Sequence, residues 1–125
     1  MKCLAVDDSA TMRRIVINAL KTIGYPDVVE AADGVEALAK CDASIEMVIT
    51  DWNMPNMGGL DLVKHLRNAP KTARIPILMV TTRSLKEDIL QALDAGINGY
   101  ILKPFTPEVL KEKLDQVSAF ASGSA

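Results

Sequence analysis

Asp7-Asp8, Asp51 and Lys103 each stand at or just past the end of a short apolar run: Cys3 to Val6, Met47 to Ile49, and Tyr100 to Leu102. Charge at the end of a buried strand does nothing for a core, so its repetition points to a site. Three carboxylates within a few ångströms repel one another, and either one takes up a proton or a cation joins them. A hard, oxygen-seeking ion such as Mg²⁺, with Mn²⁺ as a substitute, suits the set because it binds one or two carboxylates while keeping water and a substrate phosphate. A lysine at the rim suits an anion. Asp51 is the candidate nucleophile, an aspartate able to accept a phosphoryl group, with the metal ion and Lys103 neutralising charge on the group in transit.

This chemistry requires distant strand ends to meet. Short apolar runs alternate with longer stretches whose apolar residues recur at helical spacing. Cys3 to Val6 precedes the stripe Met12, Ile15, Val16, Ala19, Leu20 and Ile23, closed at Gly24 with Pro26 blocking continuation. Val28-Val29 reads as a strand, Gly34 to Cys41 as a helix, Met47 to Ile49 as a strand, and Gly59 to about Asn68 as a helix. Ile77 to Val80, opened by Pro76, is a continuous apolar run of the kind buried on both faces. A fourth helix carries Leu85, Ile89, Ala92 and Leu93 and stops at Gly96; Tyr100 to Leu102 is the fifth strand. Thr106 and Pro107 read as N-cap and first residue of a last helix bearing Leu110, Leu114 and Val117.

Strand–helix alternation predicts an α/β fold, a five-stranded parallel sheet covered on both faces. Right-handed crossovers favour a flavodoxin-like (βα)5 three-layer sandwich of strand order 2-1-3-4-5. Strands 1 and 3 then adjoin at the switch point, which brings Asp7, Asp8 and Asp51 into one crevice.

The chain has 125 residues, about half of them apolar and 24% charged, with a formal charge of −2. One soluble domain with a real core is expected. So small a net charge, with Lys and Arg dispersed, gives no field for nucleic acid. No apolar stretch approaches a membrane span or a signal peptide. Two cysteines, Cys3 and Cys41, are expected to be free buried thiols, which suits a reducing cytoplasm.

Asp7-Asp8, Asp51, Thr81 and Lys103-Pro104-Phe105, in this order and over nearly the whole chain, resemble the receiver domain of two-component response regulators. The segments Asp8-Ser9-Ala10-Thr11-Met12-Arg13-Arg14, Asp51-Trp52-Asn53-Met54-Pro55-Asn56-Met57 and Lys103-Pro104-Phe105-Thr106 are similar to those of its single-domain chemotaxis regulators. The resemblance implies a receiver over residues 1–120 and a flexible tail over 121–125. It implies that Asp51 accepts a phosphoryl group from a phosphohistidine on a sensor histidine kinase of chemotaxis type. Asp8, Asp51 and the backbone carbonyl of Asn53 would ligate Mg²⁺, with Asp7 acting partly through water. Lys103 would pair with a phosphate oxygen, the Thr81 hydroxyl would bond another, and Tyr100 would then turn inward and remodel a face of helix 4, strand 5 and helix 5. A cis Lys103-Pro104 peptide belongs to the same pattern. The further partners implied are the flagellar motor switch protein and a phosphatase, for a cytoplasmic monomer with no output domain attached. Gly58 replaces the acidic residue usual before Gly59, and Thr82 stands where Ala or Gly is frequent. With Asn53 and Arg83, these departures bear on phosphate lifetime.

Blander readings remain for single residues. Asp7-Asp8 alone could cap the first helix. His65, beside Lys64 and near Arg67, reads as a solvated surface residue, so the phosphohistidine belongs to a partner. Trp52 is expected partly exposed beside the site, the methionines Met47 and Met79 in the core, and Lys86, Lys111 and Lys113 on solvated helix faces or facing an acidic partner. A receiver outside chemotaxis is the nearest alternative. An aspartate-nucleophile phosphatase needs a second acid two residues after the nucleophile, where Asn53 stands. A flavodoxin needs a Thr/Ser/Gly-rich phosphate loop in place of Asp7-Asp8-Ser9.

Overall fold

The computed structural model describes residues 2–123. Five parallel strands, β1 (Cys3–Val6), β2 (Val28–Ala31), β3 (Met47–Thr50), β4 (Ile77–Thr81) and β5 (Gly99–Leu102), form one sheet in the order β2-β1-β3-β4-β5. The helices between and after them are α1 (Ala10–Thr22), α2 (Gly34–Lys40), α3 (Gly59–Asn68), α4 (Lys86–Ala95) and α5 (Pro107–Gly123). This is the predicted flavodoxin-like order. The backbone at 121–123, expected as tail, belongs to α5, and 124–125 lie outside the described residues.

Every residue of the central strands β1, β3 and β4 is buried, as continuous apolar runs require when helices cover both faces. Alternation of side chains sorts them into two cores. Leu4, Val6, Val48, Ile77 and Met79 pack with Leu62, Val63 and Leu66 of α3 and Ala92 of α4. Cys3, Ala5, Met47, Ile49, Leu78 and Val80 pack on the opposite face with Val16, Ile17 and Leu20 of α1 and Leu110, Leu114 and Val117 of α5. Edge strands β2 and β5 are only partly buried. Both cysteines are free; Cys3 is buried, whereas Cys41, expected buried, is half-buried at the end of α2.

Three helices start on a capping side chain, α2 on Asp33 among them. Ser9, not the acidic pair, caps α1 by accepting the Met12 N–H at 3.2 Å. Thr106 caps α5, accepting the Val109 N–H at 3.2 Å, with Pro107 first in the helix. Ser9 immediately follows Asp8, and Thr106 stands three residues after Lys103.

Candidate functional site

Three backbone hydrogen bonds carry the sheet ladder one residue past its strands. The Asp7 N–H donates to Ala31 O at 3.1 Å, the Asp51 N–H to Val6 O at 2.9 Å, and the Lys103 N–H to Thr81 O at 2.9 Å. Each residue is thereby fixed in register at the carboxyl edge of the sheet. Lys103 Nζ bridges two carboxylates, at 3.0 Å from Asp7 Oδ2 and 3.1 Å from Asp51 Oδ2. The peptide that follows Lys103, to Pro104, is cis.

The remaining oxygens are unequal. Asp7 Oδ1 accepts the Ser9 N–H at 2.9 Å and Asp51 Oδ1 the Trp52 N–H at 2.7 Å. Asp8 is exposed, and among the described residues no hydrogen bond uses its carboxylate. One oxygen from each of Asp7, Asp8 and Asp51 lies within 4.8 Å of the others, a hard-oxygen set that could hold a divalent cation. Burial pushes the Asp51 carboxyl above its usual range, assisted by the Asp7 charge, and the pull of Lys103 and the Trp52 N–H does not cancel it. Burial opposes the Lys103 ammonium as well, but Asp7 and Asp51 together outweigh it and raise its pKa. One ammonium thus leaves Asp51 short of positive charge. A cation between Asp8 and Asp51 would supply it.

Beside these carboxylates lies a cleft of about 530 Å³ lined by Asp8, Trp52, Asn53, Met54, Gly58 and Asp61. Trp52 differs from its expected partial exposure. Its residue is only 8% exposed and packs in the α3-side core, with the Arg83 guanidinium 4.6 Å above the ring centroid. The chain reverses just after Asp51, which turns the ring inward instead of toward solvent. Gly59 makes the reversal possible, because a Cβ there would sit 2.0 Å from the Asp51 carbonyl oxygen. Asn53 is exposed, and its Oδ1 accepts from Arg83 Nη2 at 2.9 Å.

Thr81 is buried, and its Oγ1 accepts the Arg83 N–H at 3.1 Å. Tyr100 is half-buried and its hydroxyl donates to Arg83 O. Arg83 therefore joins Thr81 to Tyr100 through its backbone and covers Trp52 with its side chain. The sequence gives no warning of that double role, since Arg83 lies in a loop without periodicity. Arg13 is missing from the predicted site residues. Its Nη1 donates to Asp7 O at 2.6 Å and its Nε pairs with Glu30 of β2 at 3.2 Å. His65 is exposed, as expected.

The sequence matches the response regulator receiver domain over residues 3–115. It is 57% identical over 119 residues to the chemotaxis protein CheY1 of Helicobacter pylori, covering 94% of this chain and 96% of that one. To the chemotaxis protein CheY homolog of Campylobacter jejuni it is 54% identical over 125 residues, covering 98% and 96%. Among solved structures, chemotaxis protein CheY4 of Vibrio cholerae superposes with a TM-score of 0.84 at 42% identity, over 93% of this chain and 97% of that one. A CheY-like receiver domain protein of Methanospirillum hungatei gives 0.85 at 27% identity, over 99% and 98%. Sequence, strand order and acidic strand ends agree, and the chain belongs to the response regulator receiver family.

Proposed function

We propose that this receiver is a chemotaxis phospho-switch in which Asp51 takes a phosphoryl group from a phosphohistidine of a sensor histidine kinase, in a Mg²⁺-dependent reaction. The observation that carries this reading is the Lys103 ammonium held between Asp7 and Asp51, with Asp8 within reach of the same point. An Asp51 carboxylate oxygen forms the new O–P bond as the P–N bond to the donor imidazole breaks. Asp8, Asp51 and the Asn53 carbonyl would hold Mg²⁺, which supplies charge neutralisation for the phosphoryl oxygens. Asp7, already bonded by Ser9 and Lys103, acts partly through water. Lys103 re-pairs from Asp51 to a phosphate oxygen, and the Thr81 hydroxyl donates to another.

Thr81 carries the event outward through Arg83 to Tyr100. Tyr100 borders an apolar groove of about 410 Å³ with Ile89, Leu102, Phe105, Val109 and Lys113, between α4, β5 and α5. This groove is the output face, and its partner is the flagellar motor switch protein, as the chemotaxis names of the relatives suggest. A 100-fold change in affinity there needs about 2.7 kcal/mol of coupling, within reach of a few charge-assisted hydrogen bonds. The domain, residues 1–120, works as a cytoplasmic monomer that catalyses only its own phosphorylation and dephosphorylation, with a phosphatase as a further partner. No helix among the described residues is long and apolar enough to cross a membrane.

Trp52 lines the cleft beside Asp8 and Asn53, so its fluorescence tests the reading. Mg²⁺ should quench it, and acetyl phosphate should produce a second, Mg²⁺-dependent change that is lost in Asp51→Asn. An unchanged second step in that variant would overturn the assignment of the acceptor.

A further inference from the structure

We infer that Asp33 and Asn56 form a clamp that positions the loop bearing the Asn53 carbonyl, so that α2 holds the metal-binding loop in its working geometry. The inference rests on the metal reading proposed for that site. The loop after β3 is closed at its neck, where the Gly59 N–H donates to Trp52 O at 2.8 Å. Its tip is held from outside. Asn56 Nδ2 donates to Asp33 Oδ2 at 2.7 Å, and the Gly34 N–H donates to Met57 O at 3.0 Å. Among the described residues these are the only hydrogen bonds tying 54–57 to another element.

Asp33 serves two masters with its two oxygens. Oδ1 accepts the Glu36 N–H at 2.8 Å and caps α2, while Oδ2 takes the Asn56 amide. Helix and loop are thus registered to one carboxylate. Contact is close as well, because a Cβ on Gly34 would lie 2.6 Å from Met57 Cγ. Asn56 itself has φ of 66°, a left-handed conformation that Asn tolerates better than most residues and Gly adopts freely. The clamp touches neither substrate nor metal and acts through the loop backbone, as outer-shell groups do when they orient ligands. Asp33 and Asn56 are therefore positioning residues.

Asn56→Gly is the decisive variant, since it keeps the left-handed backbone, removes the clamp and leaves net charge unchanged. In metal-free protein, amide hydrogen exchange at Gly34 and Met57 should accelerate about tenfold, and the Mg²⁺ dissociation constant read from Trp52 quenching should rise about tenfold, the low end for outer-shell loss. Thermal stability should change little. The double variant Asp33→Asn with Asn56→Asp exchanges donor and acceptor, preserves the helix cap and net charge, and should return the dissociation constant to within about twofold of the original. Unchanged exchange and Mg²⁺ affinity in Asn56→Gly, or no rescue by the exchange pair, overturns the clamp. Absence of Mg²⁺ quenching in the unaltered protein instead overturns the metal reading beneath it, and is told apart because the exchange rates are measured without metal.

Discussion

Asp51 is held in an environment that opposes its own charge. Burial and the neighbouring Asp7 raise its pKa above the ordinary 3.8, despite Lys103 and the Trp52 N–H. A carboxyl that binds its proton more tightly when folded contributes stability below its unfolded pKa, and that contribution is lost as pH rises through the folded value. At neutral pH without metal, ionised Asp51 therefore weakens the fold. Asp51→Asn should raise the metal-free melting temperature at pH 7, and the difference should vanish as pH falls below 3.8, where both folded and unfolded carboxyls become protonated. Differential scanning calorimetry across that range checks it, and a variant less stable than the original at pH 7 would contradict this electrostatic picture. Mg²⁺ should shrink the difference by stabilising only the aspartate form.

At the scale of elements, strand ends place the chemistry and loops refine it. The carboxylate cluster was legible because each acid closes an apolar run, and strand order alone brings the first and third strand ends together. The inward turn of Trp52 was not, because it depends on the reversal at Gly59 and on an arginine from the loop after β4. Nor was the role of Arg67, half-buried near the end of α3. Its Nε donates to Gly96 O at 2.9 Å, Nη1 to Ala73 O at 3.0 Å and Ile75 O at 2.7 Å, and Nη2 to Asn98 Oδ1 at 2.7 Å. A basic residue in the last turn of a helix looks like a surface dipole partner, and only the fold reveals the carbonyls gathered around it. Arg67→Ala should lower stability by about 3 kcal/mol in urea unfolding, from lost charge-assisted bonds and carbonyls left short of donors. A cost within about 0.5 kcal/mol, the ordinary range for a surface substitution, would contradict the role of this residue as a tie between α3, the α3–β4 loop and the α4–β5 loop.

The whole molecule joins two cores through one sheet, so damage to either should spread to both. Leu78 is fully buried on the α1–α5 side of the central strand β4. Leu78→Ala should cost about 3 kcal/mol and lower the urea midpoint with an unchanged slope, as expected for one cooperative unit. A second transition would show that the helical layers unfold apart. Thr81, Arg83 and Tyr100 are hydrogen-bonded in series, and Tyr100 borders the α4–β5–α5 groove, the route the proposed switch would use. The proposed switch depends on which residue takes the phosphoryl group. Treatment with acetyl phosphate and Mg²⁺, borohydride reduction of the acyl phosphate to homoserine, and peptide mass mapping locate it directly. Homoserine at position 51 alone, and none without Mg²⁺, is the expected result; modification at position 7 or 8, or equal labelling of Asp51→Asn, would contradict it.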